Sequence, residues 1–340
     1  MTSYFIRRLL LIVPTFIGIT LLIFTITRAV PGGPIERMIQ QQAMASSESA
    51  SSSSDTTSGS SLSEDQLNEL KAYYGFDKPI LVSYAEWLGN IVRFDLGVST
   101  RYHESVWHLI RDRLPVSLFY AFATLIITYG ICIPFGIVKA IKHRSVMDNV
   151  SSIIVFIGYA IPGYVVGITL ITLLASHWDI FPLGGFTSDN FDQLSWFGQL
   201  KDILFHATLP LIAYVAGSFA QLTLIVKNTL MDNLAADYVR TAVAKGVSHR
   251  QAILSHALRN SLIPLATGFG SNLTAVLGGS FLIEAIFNID GMGLLGYESV
   301  LERDYPVVMG ILAISALLFL LGNILSDFFV ALVDPRVRFE

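Results

Sequence analysis

The sequence predicts an all-α integral membrane protein with six transmembrane helices, and two observations carry that prediction. Of 340 residues, 53% are hydrophobic and only 14% are charged, with a mean hydropathy of +0.59. A soluble domain carries about 25% charged residues. The second observation is a set of uncharged runs at 9–27, 114–138, 149–176, 207–226, 261–283 and 305–326. Each is long enough for the roughly 20 helical residues that cross a hydrocarbon core.

The first run follows Arg7-Arg8, as a signal peptide would. It exceeds the roughly 7–15 residues of a signal-peptide apolar core, and no small-x-small cleavage site follows, so it reads as a retained span. Orientation comes from the short loops. With the N-terminus inside, twelve basic residues lie inside: Arg7, Arg8, Lys139, Lys142, Arg144, Lys227, Arg240, Lys245, Arg250, Arg259, Arg336 and Arg338. Only Lys201 and Arg303 lie in the short outside loops. Both termini and the segment 228–264 are therefore expected in the cytoplasm. The chain divides into an anchor and first span (1–30), a long outer loop (31–113), a five-helix core (114–335) and a short tail (336–340).

Within the outer loop, 44–63 contains eleven serines and almost nothing apolar. Such a segment cannot bury enough surface to offset its ordering entropy and is expected to be disordered. SEDQLNELKAYYG (63–75) and YAEWLGNIVRF (84–94) read as short helices. In the second outer loop, Trp178 and Trp196 read as interfacial anchors. Pro14, Pro134-Phe135-Gly136, Gly158 with Pro162-Gly163, and Gly268, Gly270, Gly278 and Gly279 are candidate interruptions of the spans. Small residues permit close helix packing, and prolines free carbonyls that need a polar or wet neighbour. Together they suggest a pathway flanked by spans two to five.

Residues 228–264 hold the most specific pattern. Leu230, Leu234, Tyr238 and Ala242 recur every four residues and line one helical face. Gly246 then offers a left-handed C-cap, and Ser248 with Gln251 a capping-box start. In the second helix Ile253, Leu254, Ala257 and Leu258 form the apolar stripe, with Arg250, His256, Arg259 and Asn260 elsewhere. A rigid, basic elbow between two spans suits contact with another protein. A helix-turn-helix DNA reader has a similar outline, but the flanking spans leave it little freedom to enter a groove. A surface loop without a partner is the plainer alternative.

Several activities lack their residues. There is no GxxxxGK[ST] loop and no Gly-Lys pair to cradle ATP, no HExxH and no GxSxG. Cys132 is the only cysteine and lies inside a span, which excludes an intrachain disulfide and cysteine metal sites. A carrier that couples to ions keeps ionisable groups at mid-membrane, and the six runs have none. Glu284 reads as a structural acid just past span five, and Asp327 as the partner of a basic neighbour. The driving force is thus expected from outside the chain.

AADYVRTAVAKGVSHRQAILSHALRNSLIP (235–264) resembles the cytoplasmic "EAA" loop of binding-protein-dependent ABC importer permeases, and within them the dipeptide/oligopeptide permease family. YFIRRLLLIVPT, YGFDKPILVSYAEWLGNIVRFDLGVS, RDRLPVSL, ERDYPVVMG and LVDPRVRF agree with the same family. PGGP, FDLG and NIDGMGLLG depart from its usual PGDP, GDLG and PGLG. The Ser-rich insertion and FNIDGMGLLGYESV look more like the microcin C/peptide importer subgroup.

The resemblance implies the type I ABC importer permease fold and a bacterial inner-membrane location, with import of peptides or peptide-like compounds. A nickel chelate, or a non-coupled channel or scaffold, is the alternative. It implies that the loop docks on a separate ATPase subunit through Ala235, Ala236, Asp237, Tyr238, Arg240, Thr241, Ala244, Lys245, Gly246, His256, Arg259, Asn260 and Pro264. Gly246 would be the turn, and Asp237, Arg240, Lys245 and Arg259 polar contacts. Pro162, Glu284, Gly291 and Gly293 would be gate or structural positions. The implied partners are a second homologous permease, usually non-identical, two ATPase subunits or one of double length, a periplasmic solute-binding protein and lipid, with no nucleic acid. ATP and Mg would sit on the ATPases, with no cofactor or metal on this chain.

Overall fold

The computed structural model describes residues 2–29 and 77–333. The Ser-rich segment 44–63, the PGGP turn, the expected helix at 63–75 and the tail 336–340 lie outside them. The described residues form helices and no strand; one isolated bridge joins Val98 and Ser105.

In chain order the helices are α1 (Thr2–Ala29), α2 (Ile80–Val92), α3 (Val106–Ile141), α4 (Val146–Ala160) and α5 (Gly163–Leu170), which continues as a π-helical turn, Ile171–His177. A long α6 (Trp196–Ala235) leads into α7 (Asp237–Ala244). Next come α8 (His249–Ala252), a π turn (Ile253–Ala257) and α9 (Leu258–Ser261). The chain finishes with α10 (Ile263–Leu277), α11 (Phe281–Ile286), α12 (Met292–Leu301) and α13 (Tyr305–Val333).

Four of the described helices, α1, α3, α6 and α13, are long and apolar enough to cross a membrane, and α4 with α5 makes a fifth if that bent pair is one span. The fifth expected run, 261–283, is divided between α10, of 15 residues, and the short α11. Gly278 and Gly279 fall in the break between α10 and α11, whereas several other expected breakers lie inside helices. Pro14 lies inside α1 and Pro134 inside α3, because helices in apolar surroundings can re-satisfy the freed carbonyl locally. Pro162 does break its span. Ile161 before it is extended (φ −94°, ψ 118°), as a residue preceding proline prefers, and the two helices meet at 91°.

The described residues fall into two compact units. One comprises Val13–Asp112 and Gly296–Ala316. There Thr20, fully buried on α1, meets the Tyr84 hydroxyl of α2 at 2.9 Å, and Phe24 packs on Tyr84 and Trp87. Asp304 accepts hydrogen bonds from the Ser99 hydroxyl and the backbone of Thr100 and Arg101. Lys78 pairs with Glu86 at 2.7 Å, and that hydrogen bond raises its pKa.

The other unit runs up to Ile12, over Arg113–Leu295, and on from Leu317. Its main apolar core joins Tyr120 of α3, Ala175, Leu209 and Ala213 of α6, and Phe287 and Ile289 after α11. Asp327 finds the basic neighbour expected of it: Arg8 is 2.7 Å away, and the Tyr4 hydroxyl donates at 3.2 Å. Gly270 of α10 lies against the backbone of Gly322 of α13, leaving no space for a Cβ. Trp178 and Trp196 are exposed, as interfacial anchors would be.

Candidate functional site

The elbow forms where the sequence places it, with a different register. Helix α6 stops at Ala235 because Ala236 turns extended (φ −72°, ψ 147°), and Asp237 restarts the helix. An acidic residue in a first turn complements the helix dipole. The break resets the face: Val239 is the residue buried, whereas Tyr238, expected on the apolar stripe, is 41% exposed. Helix α7 then closes in a Schellman motif. The Val247 N–H donates to the Ala242 carbonyl at 3.2 Å and the Gly246 N–H to that of Val243 at 2.9 Å. Gly246 has φ +91° and nothing within 4 Å of where a Cβ would stand, so conformation alone selects glycine. Ser248 caps the next helix by accepting from the Gln251 N–H.

That helix is not regular. The π turn Ile253–Ala257 carries an extra residue per turn, a distortion that recurs at functional sites. It keeps Ile253 and Ala257 buried but turns Leu254 out, 49% exposed, against its expected place on the apolar stripe. Beneath the elbow Val239, Ala252, Ile253 and Ala257 pack on Ala140 of α3 and Leu230 of α6.

A polar clamp joins the two arms. The Tyr238 hydroxyl donates to Asn233 Oδ1 at 2.6 Å and accepts from Asn260 Nδ2 at 3.1 Å. Asn233 Nδ2 donates to the Ser261 hydroxyl at 3.1 Å. Arg259 Nε donates to the Val333 carbonyl at 2.7 Å, which ties the second arm to the end of α13. Tyr238, Asn260 and Arg259 thus have partners within the chain. Ala235, Asp237, Arg240, Thr241, Ala244, Lys245, Gly246, His256 and Pro264 are exposed, and Ala236 is half-buried. Asp237 and Arg240 lie 3.8 Å apart on the exposed face.

A second constellation went unread in the sequence. Lys139 at the end of α3 and Lys227 on α6 entered the sequence reading only as basic residues on the cytoplasmic side. Both are buried, and they converge on buried Asp148 at the start of α4. Lys227 Nζ donates to both Asp148 carboxylate oxygens at 2.7 and 2.8 Å. Lys139 Nζ lies 3.1 Å from Asp148 Oδ1. It also donates to the Asp148 carbonyl at 3.0 Å and to the Ser151 and Ser152 hydroxyls at 2.6 and 2.9 Å. The Arg144 N–H adds a donor at 3.1 Å, and His143 Nδ1 stands 3.4 Å away. A charge beside an apolar run is the only sequence signal, and it cannot distinguish an anchor from a buried pair.

The four gate or structural positions separate. Pro162 makes the bend between α4 and α5. Glu284, Gly291 and Gly293 come together elsewhere. The buried Glu284 carboxylate accepts from the Leu294 N–H at 2.6 Å and from the Tyr214 hydroxyl at 3.4 Å. A Cβ on Gly291 would stand 2.6 Å from the Glu284 carboxyl carbon, and one on Gly293 3.0 Å from Gly279. Gly279, at φ +72°, lies against the same carboxylate. The carboxylate thus accepts hydrogen bonds within a tight turn walled by three glycines.

Residues 132–339 match the family described as "Binding-protein-dependent transport system inner membrane component". The chain is similar over its whole length to the peptidoglycan transport system permease protein YejB of Agrobacterium fabrum, at 42% identity over 360 residues and 99% of that relative. It is 40% identical over 362 residues to the inner membrane ABC transporter permease protein YejB of Escherichia coli O157:H7, with both chains fully covered. The oligopeptide transport system permease protein AppB of Bacillus subtilis is 35% identical over 340 residues, again with both fully covered. With its apolar helices and a hinged elbow between α6 and α10, the chain belongs to the family of inner-membrane permease components of binding-protein-dependent ABC transporters.

Proposed function

We propose that this chain is the transmembrane permease subunit of an ATP-driven importer of peptides or peptide-like compounds, and that its elbow receives the stroke of a separate ATPase subunit. The single observation that carries the coupling role is the division of the elbow's surface. Its apolar side is packed on α3 and α6, while Asp237, Arg240, Thr241, Ala244 and Lys245 are left exposed on a rigid support. ATP hydrolysis belongs to separate subunits in this family. The chain supplies the membrane path, with ATP and Mg bound on those subunits.

The complex comprises this chain, a second and non-identical homologous permease, two ATPase subunits or one of double length, and a periplasmic solute-binding protein. Both termini and the elbow face the cytoplasm. The relatives named for oligopeptide and peptidoglycan transport support a substrate that carries peptide bonds, free or attached to cell-wall sugar. Peptide-like compounds of the microcin C kind fall in the same class.

Gly246→Pro tests the coupling role. Proline fixes φ near −65° and removes the N–H that donates to the Val243 carbonyl. In the reconstituted importer the variant is expected to lose the ATPase stimulation caused by the loaded binding protein. Unchanged stimulation would sink the assignment. Mass spectrometry of compounds retained on the binding protein tests the substrate class; a metal chelate in place of peptides would overturn it.

A further inference from the structure

We propose that the Lys139–Asp148–Lys227 cluster is a positioning device that makes α4 follow the elbow, so that elbow movement is delivered to the bend at Pro162. The inference rests on the coupling reading above and deepens it.

Three elements meet at one carboxylate: the end of α3, the start of α4 and the C-terminal part of α6, eight residues before its end at Ala235. Lys139 is fully buried, Asp148 is 2% exposed and Lys227 9%. Two cations around one anion leave a net positive charge inside the protein. Such a group is tolerated only when its donors are saturated, and Lys139 meets four acceptors. Asp148 is itself fixed at a helix start, where its N–H donates to the Ser145 cap at 3.2 Å and the helix dipole favours its charge.

Stability alone does not account for this arrangement, because a buried ion pair seldom stabilises a fold more than well-packed apolar residues of the same volume. What the cluster does provide is a short, directional tie at a particular place. Lys139 precedes Ala140, and Lys227 lies one turn before Leu230; Ala140 and Leu230 form the seat on which the elbow packs. Among the described residues, that apolar seat draws on α3, α6 and the elbow and takes no side chain from α4. The carboxylate at the foot of α4 is therefore its polar link to the level where the elbow sits. Helix α4 ends 12 residues later at Ala160, before the 91° bend at Ile161-Pro162.

The test uses the full importer with Cys132 replaced by Ser and spin labels at Ile153 on α4 and Ile168 on α5, both exposed. ATP with vanadate is expected to shift the label distance in the otherwise wild-type complex. Asp148→Glu, which keeps the anion, retains the shift. The apolar triple variant Lys139→Met, Asp148→Leu, Lys227→Met, which fills the volume without the tie, assembles and loses it. Equal behaviour of the two variants overturns the proposal. Failure of the triple variant to assemble also overturns it, because the cluster is then a folding staple. Gly246→Pro run alongside separates the two levels: abolition there with a retained shift in the triple variant defeats only this inference. A shift retained in both defeats the coupling reading as well.

Discussion

The elbow and the Glu284 turn both depend on glycine, for opposite physical reasons. At Gly246 the surroundings are open and the backbone is left-handed, so any residue fits and few fold comfortably. At Gly291 space is the constraint: a Cβ there would stand 2.6 Å from the Glu284 carboxyl carbon. One glycine sets a direction at an exposed joint, and the other permits closest approach around a buried acid. The difference separates a joint fixed by backbone conformation from a turn fixed by close packing, and substitutions should split along that line.

The largest effect belongs to the closed turn. Gly291→Val adds bulk against a buried carboxylate and is expected to cost about 3 kcal/mol or more. It should be read as a lowered melting temperature and reduced accumulation in membranes. Glu284→Ala comes next, at about 2 kcal/mol, because the Leu294 N–H and the Tyr214 hydroxyl lose their acceptor. Glu284→Gln keeps an oxygen for the Leu294 N–H and should cost less. If the two variants melt alike, the hydrogen bonds are not what holds the turn.

At the elbow, Gly246→Ala should cost about 1 kcal/mol for the left-handed backbone. Its melting temperature should barely move while the stimulated ATPase rate falls, so loss of stability without loss of coupling would erase the contrast. Deleting 44–63 is expected to have the smallest effect, with uptake intact. Lost uptake would show that the serine-rich segment does more than link.

Much of the elbow was legible because its signals are local. Gly246, Ser248 and Gln251 act within one turn of where they stand, and they produce the Schellman closure and the cap seen. The register was not legible, since neither the extended Ala236 nor the π turn at Ile253–Ala257 has a residue type that demands it. Pro162 and Pro134 look alike in sequence, yet only Pro162 ends a helix; packing of the whole span decides which freed carbonyl is re-satisfied. The Lys139–Asp148–Lys227 cluster was missed for a related reason. Counting cations at span ends gives sidedness, whereas burial depends on three segments meeting that are far apart in the chain. Glu284 was legible as a lone acid just past an apolar run, but its glycine wall was not.

Helix α6 has 40 residues in one uninterrupted piece, about 60 Å at 1.5 Å per residue, roughly twice a bilayer's hydrocarbon core. Its lower end carries the elbow directly, with one extended residue between them. A helix of that length, with Pro210 inside it, has the geometry of a lever. A tilt of about 5° about its midpoint would carry each end sideways by about 2.6 Å at that length. Angular gearing of this kind would turn a displacement smaller than one helical turn at the elbow into an opposite displacement at the far end, without any helix having to unwind.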